Sequence, residues 1–238
     1  MKIHGLQKMT LLDFPGHVAC TVFLGGCDLR CPYCHNYELA TGQAPPIMEE
    51  AELFSFLEKR KGLLDGVAIT GGEPCLHPDL PDFIGRIRAL GYPVKLDTNG
   101  THPAVLREVL ERGLVDYVAM DIKNSPAKYA LTAGIAQAED APQPAPFVEK
   151  IRESAGLLMA SGIDYEFRTT VVDELHEVRD FDEIGKWIAG ARRYFLQCFT
   201  DRDTVPFGGL SAPSKEKLSA CAERVRAYVQ DVQIRGVD

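Results

Sequence analysis

The chain has 238 residues, 45% hydrophobic and 25% charged, which is the balance of an ordinary soluble globular protein and long enough for one α/β domain with a substantial core. Its formal net charge is −8, from 26 basic and 34 acidic side chains spread along the chain, which argues against nonspecific binding to nucleic acid or to an anionic membrane. No apolar run approaches the ~20 residues that span a bilayer, and Met1 to Thr10 lacks the apolar core and cleavage site of a secretory signal, so a cytoplasmic protein is expected. Seven cysteines, an odd number, fit a reducing compartment.

The first apolar, β-branched run, Val18–Leu24, reads as a strand. A helical pattern over 47–60 follows, then a strand at Val67–Thr70, a helix over 79–90 and a strand at Val94–Asp97. The alternation continues with a helix over 103–112, a strand at Tyr117–Met120, a helix over 147–160, a strand at Tyr165–Val172, a helix over 178–189, a strand at Tyr194–Leu196 and a last helix over 214–229. Pro103 after Thr101-His102 and Ser214 after Pro213 are suitable helix starts. Gly62, Gly91, Gly113 and Gly162 lie just past helix ends, where a left-handed cap is wanted. Such alternation predicts parallel strands joined by right-handed crossovers in a single domain, 1–238, with a variable C-terminal rim and helix over about 198–238. Six units are too few for a closed eight-fold barrel, and periodicity does not separate an open barrel from a doubly wound sheet.

The polar interruptions cluster at the carboxyl ends of these strands, where parallel α/β barrels place their active sites. Cys27 follows the first strand and Gly71-Gly72-Glu73 the second. Asp97-Thr98-Asn99 ends the third, Asp121-Ile122-Lys123 the fourth, Arg168 lies on the fifth and Gln197 ends the sixth.

Cys27, Cys31 and Cys34 fall within eight residues, in a loop over 25–36. Three thiolates at this spacing can wrap one inorganic centre; on a four-iron cubane they would leave one iron without a protein ligand. Two other readings stand beside this one. A disulfide within the loop would strand one thiol and require an oxidising compartment. A zinc ion could take the three cysteines and His35, although zinc ligands come mostly in two spaced pairs and no second Cys/His pair follows. The scattered Cys20, Cys75, Cys198 and Cys221 read as buried structural thiols.

Cys27-x3-Cys31-x2-Cys34, with aromatic Tyr33 before the last cysteine, resembles the signature of the radical S-adenosylmethionine (SAM) enzymes. His35-Asn36 resembles the version found in glycyl-radical-enzyme activases. The resemblance implies an open (β/α)6 partial barrel with parallel strands, one 4Fe-4S cluster on the three cysteines, and SAM chelated at the open iron. It implies that Tyr33, Asn36, Gly71, Gly72, Glu73, Asp97, Thr98, Asn99, Asp121, Lys123 and Arg168 contact the cofactor. Physical reasons accompany several of these. Two glycines permit close backbone approach, and the Glu73 carboxylate could accept from an ammonium group. Lys123 is a point charge suited to a carboxylate. Taken alone, Gly71-Gly72 and Asn99-Gly100 also suit plain turns. In pyruvate formate-lyase activase, residues matching Asp97, Thr98 and Asp121 hold a monovalent cation, so such an ion is expected here. Arg168 is a charge within an apolar strand, for which contact with SAM or a substrate peptide is preferred to a pair with Glu166. His176 reads as a solvated loop histidine.

The implied reaction is transfer of one electron from the reduced cluster to SAM, cleavage of its carbon–sulfur bond, and hydrogen abstraction by the 5′-deoxyadenosyl radical. The opening Gly5-Leu6-Gln7-Lys8-Met9-Thr10-Leu11-Leu12-Asp13-Phe14-Pro15-Gly16, the Tyr165–Val172 strand and Tyr194-Phe195-Leu196-Gln197 are similar to activases of anaerobic ribonucleoside-triphosphate reductase. That similarity implies a protein partner, whose glycine becomes a radical, and a flavodoxin- or ferredoxin-type reductant. Gln197-Cys198-Phe199-Thr200 departs from the histidine found there in pyruvate formate-lyase activases, and no cysteine lies between Cys34 and Gly71 to hold an extra cluster. Activation of another glycyl radical enzyme, a small-molecule radical SAM reaction such as deazaguanine synthesis, and a non-enzymatic zinc or cluster protein are the alternatives. Thr200–Pro213 is expected to be a mobile loop at the partner-facing rim or a linker to the last helix.

Overall fold

The computed structural model describes residues 1–135 and 147–237. Strands β1 (Lys2–Thr10) and β2 (Ala19–Leu24) are followed by the cysteine loop, a short helix α1 (Tyr37–Thr41), a two-residue strand β3 (Met48–Glu49) and helix α2 (Glu50–Lys59). Then come β4 (Gly66–Gly71), α3 (Leu80–Ala89), β5 (Val94–Thr98), α4 (Pro103–Glu111), β6 (Tyr117–Asp121), α5 (Tyr129–Thr132) and α6 (Val148–Ala160). β7 (Asp164–Val171), α7 (Asp180–Trp187), β8 (Arg193–Cys198), α8 (Lys215–Arg226) and β9 (Asp231–Arg235) complete the chain. Among the described residues the strands form one sheet in the order β3-β1-β2-β4-β5-β6-β7-β8-β9. From β2 to the β9 edge all neighbours are parallel, whereas β1 runs antiparallel to both β2 and β3.

All six expected strands are present, flanked by three that the sequence did not reveal. β1 mixes Lys2, His4, Gly5, Gln7 and Lys8 among its apolar residues, and β9 offers only Val232 and Ile234, so neither carries the apolar density of a core strand. The helix expected from 47 starts at Glu50 because Met48 and Glu49 pair with β1. Glu49 and Glu52 then form a reciprocal capping box at its start. The last helix is capped by the Ser214 hydroxyl, which accepts from Lys217 N–H at 3.1 Å, and ends at Arg226 rather than 229. The four glycines expected to cap helices all have positive φ.

Side chains alternate across each strand. Val67, Ile69, Val94, Leu96, Val118, Met120, Phe167 and Leu196 are fully buried against the helices. Each such side chain contributes about 1.5–3 kcal/mol on burial, and this layer fixes the strands. The opposite face is concave. Phe14, from the β1–β2 connection, packs with Ala19 of β2 and with Tyr117 and Ala119 of β6. In a flat sheet β2 and β6 would lie about 14 Å apart, so this shared cluster reports a sheet curled into an open, mostly parallel α/β barrel with Phe14 at its floor. Cys20, Cys75 and Cys221 are buried as expected, while Cys198 is half-buried. No helix among the described residues is long and apolar enough to cross a membrane.

Candidate active site

The cysteine loop leaves the carboxyl end of β2 and is tied down on three sides. Gly26 N–H donates to Leu39 O at 2.8 Å, and Arg30 N–H donates to Ala133 O at 2.9 Å, which pins the loop to the segment after α5. Glu73 N–H donates to Gly26 O at 2.8 Å from the β4 side. Here Gly71, the last residue of β4, and Gly72 just past it have a steric reason. A Cβ on Gly72 would lie 1.9 Å from Gly26 O, and one on Gly71, whose φ is +123°, would lie 2.2 Å from Leu24 O. Asn36 Nδ2 donates to Gly71 O at 3.0 Å, closing the loop on the same strand.

Cys27, Cys31 and Cys34 line one cavity together with Tyr33, Asn36, Gly71 and Gly72. Burial pushes the Cys27 thiol up to about 12 and the Cys31 thiol up to about 11, and raises Cys34. Thiolates form here only with positive charge in their midst, as coordinated iron provides. Leu29 N–H at 3.4 Å and Asn99 Nδ2 at 3.6 Å point at Cys27 Sγ.

Asp97, Thr98, Asn99, Asp121, Lys123 and Arg168 line the same cavity. Their charges interlock. Arg168 Nε donates to Asp121 Oδ1 at 2.5 Å, and its Nη2 lies 3.4 Å from Asp97 Oδ2. Lys123 Nζ donates to Asp121 Oδ2 at 2.7 Å, and Lys95 Nζ to Asp97 Oδ1 at 2.5 Å. Burial pushes both carboxyls up, but Arg168 with Lys95 holds Asp97 below its ordinary value, and Arg168 with Lys123 holds Asp121 well below. Burial alone would lower Lys123 and Arg168; their anionic surroundings, Asp121 foremost and Asp97 also at Arg168, together outweigh it and hold both above their ordinary values. Lys123 and Arg168 thus face Asp97 and Asp121 in a charged layer along the cavity, with Lys95 adding a third cation behind Asp97. Arg168 does not pair with Glu166. Glu166 instead receives both guanidinium nitrogens of Arg235, at 2.9 and 3.0 Å, and the Tyr117 hydroxyl at 2.7 Å.

The Radical SAM superfamily model matches residues 21–187, from within β2 to the end of α7. This chain belongs to the radical SAM superfamily. A protein of Methanocaldococcus jannaschii, provisionally named a glycyl-radical enzyme activating enzyme, is 30% identical over 99% of this chain and 96% of its own length. The pyruvate formate-lyase-activating enzyme of Clostridium pasteurianum is 34% identical over 52% of each chain. A radical SAM methyltransferase from Sphaerobacter thermophilus shares the fold, with a TM-score of 0.65 at 13% identity over 94% of this chain and 68% of that one.

The residues of this radical SAM enzyme fit the family's 4Fe-4S cluster and SAM. Of the seven cysteines, only Cys27, Cys31 and Cys34 line the cavity, a donor set that leaves a fourth iron free. The Tyr33 hydroxyl is buried there without a hydrogen-bond partner among the described residues, an orphan polar atom of the kind a ligand satisfies. The Lys123 and Arg168 cations on the cavity wall suit the SAM carboxylate. A single zinc ion fits less well. His35 is stacked on Phe199 with centroids 5.8 Å apart, and its Nε2 lies 2.7 Å from Thr200 O. Among the described residues no three His, Cys, Asp or Glu side chains converge closely enough to hold one metal ion.

Glu73 differs from its expected role. It is 0% exposed and absent from the cavity wall. Its carboxylate accepts from Cys75 N–H at 2.8 Å, Thr98 Oγ1 at 2.7 Å and Asn99 N–H at 2.6 Å. Burial pushes it up to about 7 against those donors. Glu73 therefore ties the end of β5 to that of β4, and has no free oxygen to offer an ammonium group. His176 is likewise not solvated. It is 1% exposed and bonded to Lys123 O and Val172. The reading missed Lys95, although the signal that singled out Arg168, a charge inside an apolar strand, marks it equally. The Thr200–Pro213 segment packs back on the site: Phe207 meets Tyr37 edge-on at 6.1 Å, and Ser211 O accepts from Asp173 N–H at 3.0 Å.

Proposed function

We propose that this enzyme generates a glycyl radical on a partner protein, with anaerobic ribonucleoside-triphosphate reductase as the target. The observation that carries the activase reading is a cavity lined by three thiols together with the Lys123 and Arg168 cations, in a chain alignable almost end to end with an activating-enzyme relative. When bound, the cluster and SAM supply one-electron cleavage of SAM and abstraction of a hydrogen atom from the substrate. Cys27, Cys31 and Cys34 hold the cluster. Asn99 donates toward the Cys27 sulfur, which favours the reduced form by countering its added negative charge. Lys123 and Arg168 hold the SAM carboxylate, Asp97 and Asp121 hold those two cations in place, and the Tyr33 hydroxyl takes a polar atom of the bound cofactor.

The choice of ribonucleotide reductase over pyruvate formate-lyase rests on Gln197, which stands where pyruvate formate-lyase activases resemble one another in having histidine. A flavodoxin or ferredoxin is the electron donor in this reading, and the setting is the reducing cytoplasm. A monovalent cation at Asp97, Thr98 and Asp121 is less well supported, because all four carboxylate oxygens already face protein cations.

The test is an anaerobic incubation of the reconstituted enzyme with SAM, reductant and a panel of purified glycyl radical enzymes. A glycyl doublet in the electron paramagnetic resonance spectrum of the reductase alone is expected. A doublet on pyruvate formate-lyase would reassign the target, and conversion of a small molecule with no protein radical would overturn the activase reading.

A further inference from the structure

Lys95 lies two residues before Asp97 on the concave face of β5 and is 4% exposed. Its register neighbours are Ala68 of β4 and Tyr117 of β6, and the alanine leaves room for the lysine stem beneath Asp97. A lysine this buried needs a partner. Asp97 is the only carboxylate within ion-pair distance of it among the described residues. The remaining oxygens of the layer are committed: Asp97 Oδ2 to Arg168, and Asp121 to Arg168 and Lys123. The Thr98 hydroxyl donates to Glu73 and accepts from Gly100 N–H.

We propose that Lys95 is the built-in counter-ion of this layer: its ammonium occupies the place on Asp97 that a monovalent metal ion would take, so SAM binds without sodium or potassium. The inference rests on the reading that the cavity holds SAM. Lys95 is then a positioning residue, which acts through Asp97 on Arg168. A metal ion on the same oxygen would bring a second cation against an ammonium that is only 5% exposed, and like charges so placed repel. An ammonium ion and a potassium ion are close in size. Removing the ammonium should therefore leave a carboxylate site that potassium can enter.

The experiment measures SAM affinity of the anaerobically reconstituted holoenzyme in choline chloride and in potassium chloride at equal ionic strength. The wild type should change by less than about twofold, and Lys95→Met should lose about tenfold or more in choline and regain most of it in potassium. A wild-type affinity that rises tenfold with potassium overturns the proposal while leaving the cofactor reading intact. So does a Lys95→Met variant that is unaffected, or equally weakened in both salts. If Lys95→Met does not fold, the wild-type salt series decides alone. Absence of SAM binding by the wild type in every salt overturns the cofactor reading and this inference with it.

Discussion

His176 Nε2 lies 2.8 Å from the carbonyl oxygen of Lys123, and its Nδ1 accepts from Val172 N–H at 3.1 Å. The neutral ring thus stitches the end of β7 to Lys123, which lines the cavity. Nothing in its sequence surroundings, Leu175 and Glu177, marks it as an interior group.

Burial holds His176 below its ordinary value, outweighing its two backbone hydrogen bonds. Between its folded value and the unfolded value near 6.5, the unfolded chain binds more protons. The stabilisation is therefore complete above about pH 6.5 and is lost as pH falls toward the folded value. Melting temperatures of wild type and His176→Gln across about pH 5 to 8 should converge on acidification and stay evenly separated above 6.5. Parallel curves throughout would refute this.

Arg168 bridges Asp97 and Asp121, so Arg168→Gln leaves two half-buried carboxylates with one cation fewer. SAM affinity should fall at least about tenfold, while iron content stays near that of the wild type. Arg168→Lys should restore only part, because an ammonium cannot fork between two carboxylates. Equilibrium dialysis with labelled SAM and an iron assay separate these outcomes.

Gly72→Ala would place a methyl carbon 1.9 Å from the Gly26 carbonyl oxygen, which is backbone and cannot rotate away. The cysteine loop must shift, although the sheet beneath it need not. Circular dichroism close to wild type with iron incorporation reduced severalfold is the expected result. Full cluster loading in this variant would show that the loop tolerates the displacement.

Arg235→Ala leaves the Glu166 carboxylate, 1% exposed, with the Tyr117 hydroxyl alone. The expected loss is about 3–5 kcal/mol, for an uncompensated buried charge. Adding Glu166→Gln should return a good part of it. Denaturant unfolding of the single and double variants reads this directly, and strictly additive losses would count against a coupled pair.

The sequence by itself determined the alternation of strands and helices, the position of the cysteine loop after the first core strand, and the placing of Asp97 and Asp121 at strand ends and of Arg168 within the fifth strand. Those features are local: a 2-residue or 3.6-residue period, a thiol spacing, a glycine past a helix end. What the tertiary structure decided is the direction and partner of each charge. Glu73 follows the glycines as a free carboxylate would, yet only the approach of β5 turns it inward onto Thr98 and Asn99. Lys95 and Asp97 share a face by strand period, but their relation to Arg168 and Lys123 exists only once β5, β6 and β7 lie side by side. The outer strands, β3 with β1 at one side and β9 at the other, were hidden for a related reason. An edge strand borrows its order from the sheet it joins, so little of that order is written in its own residues.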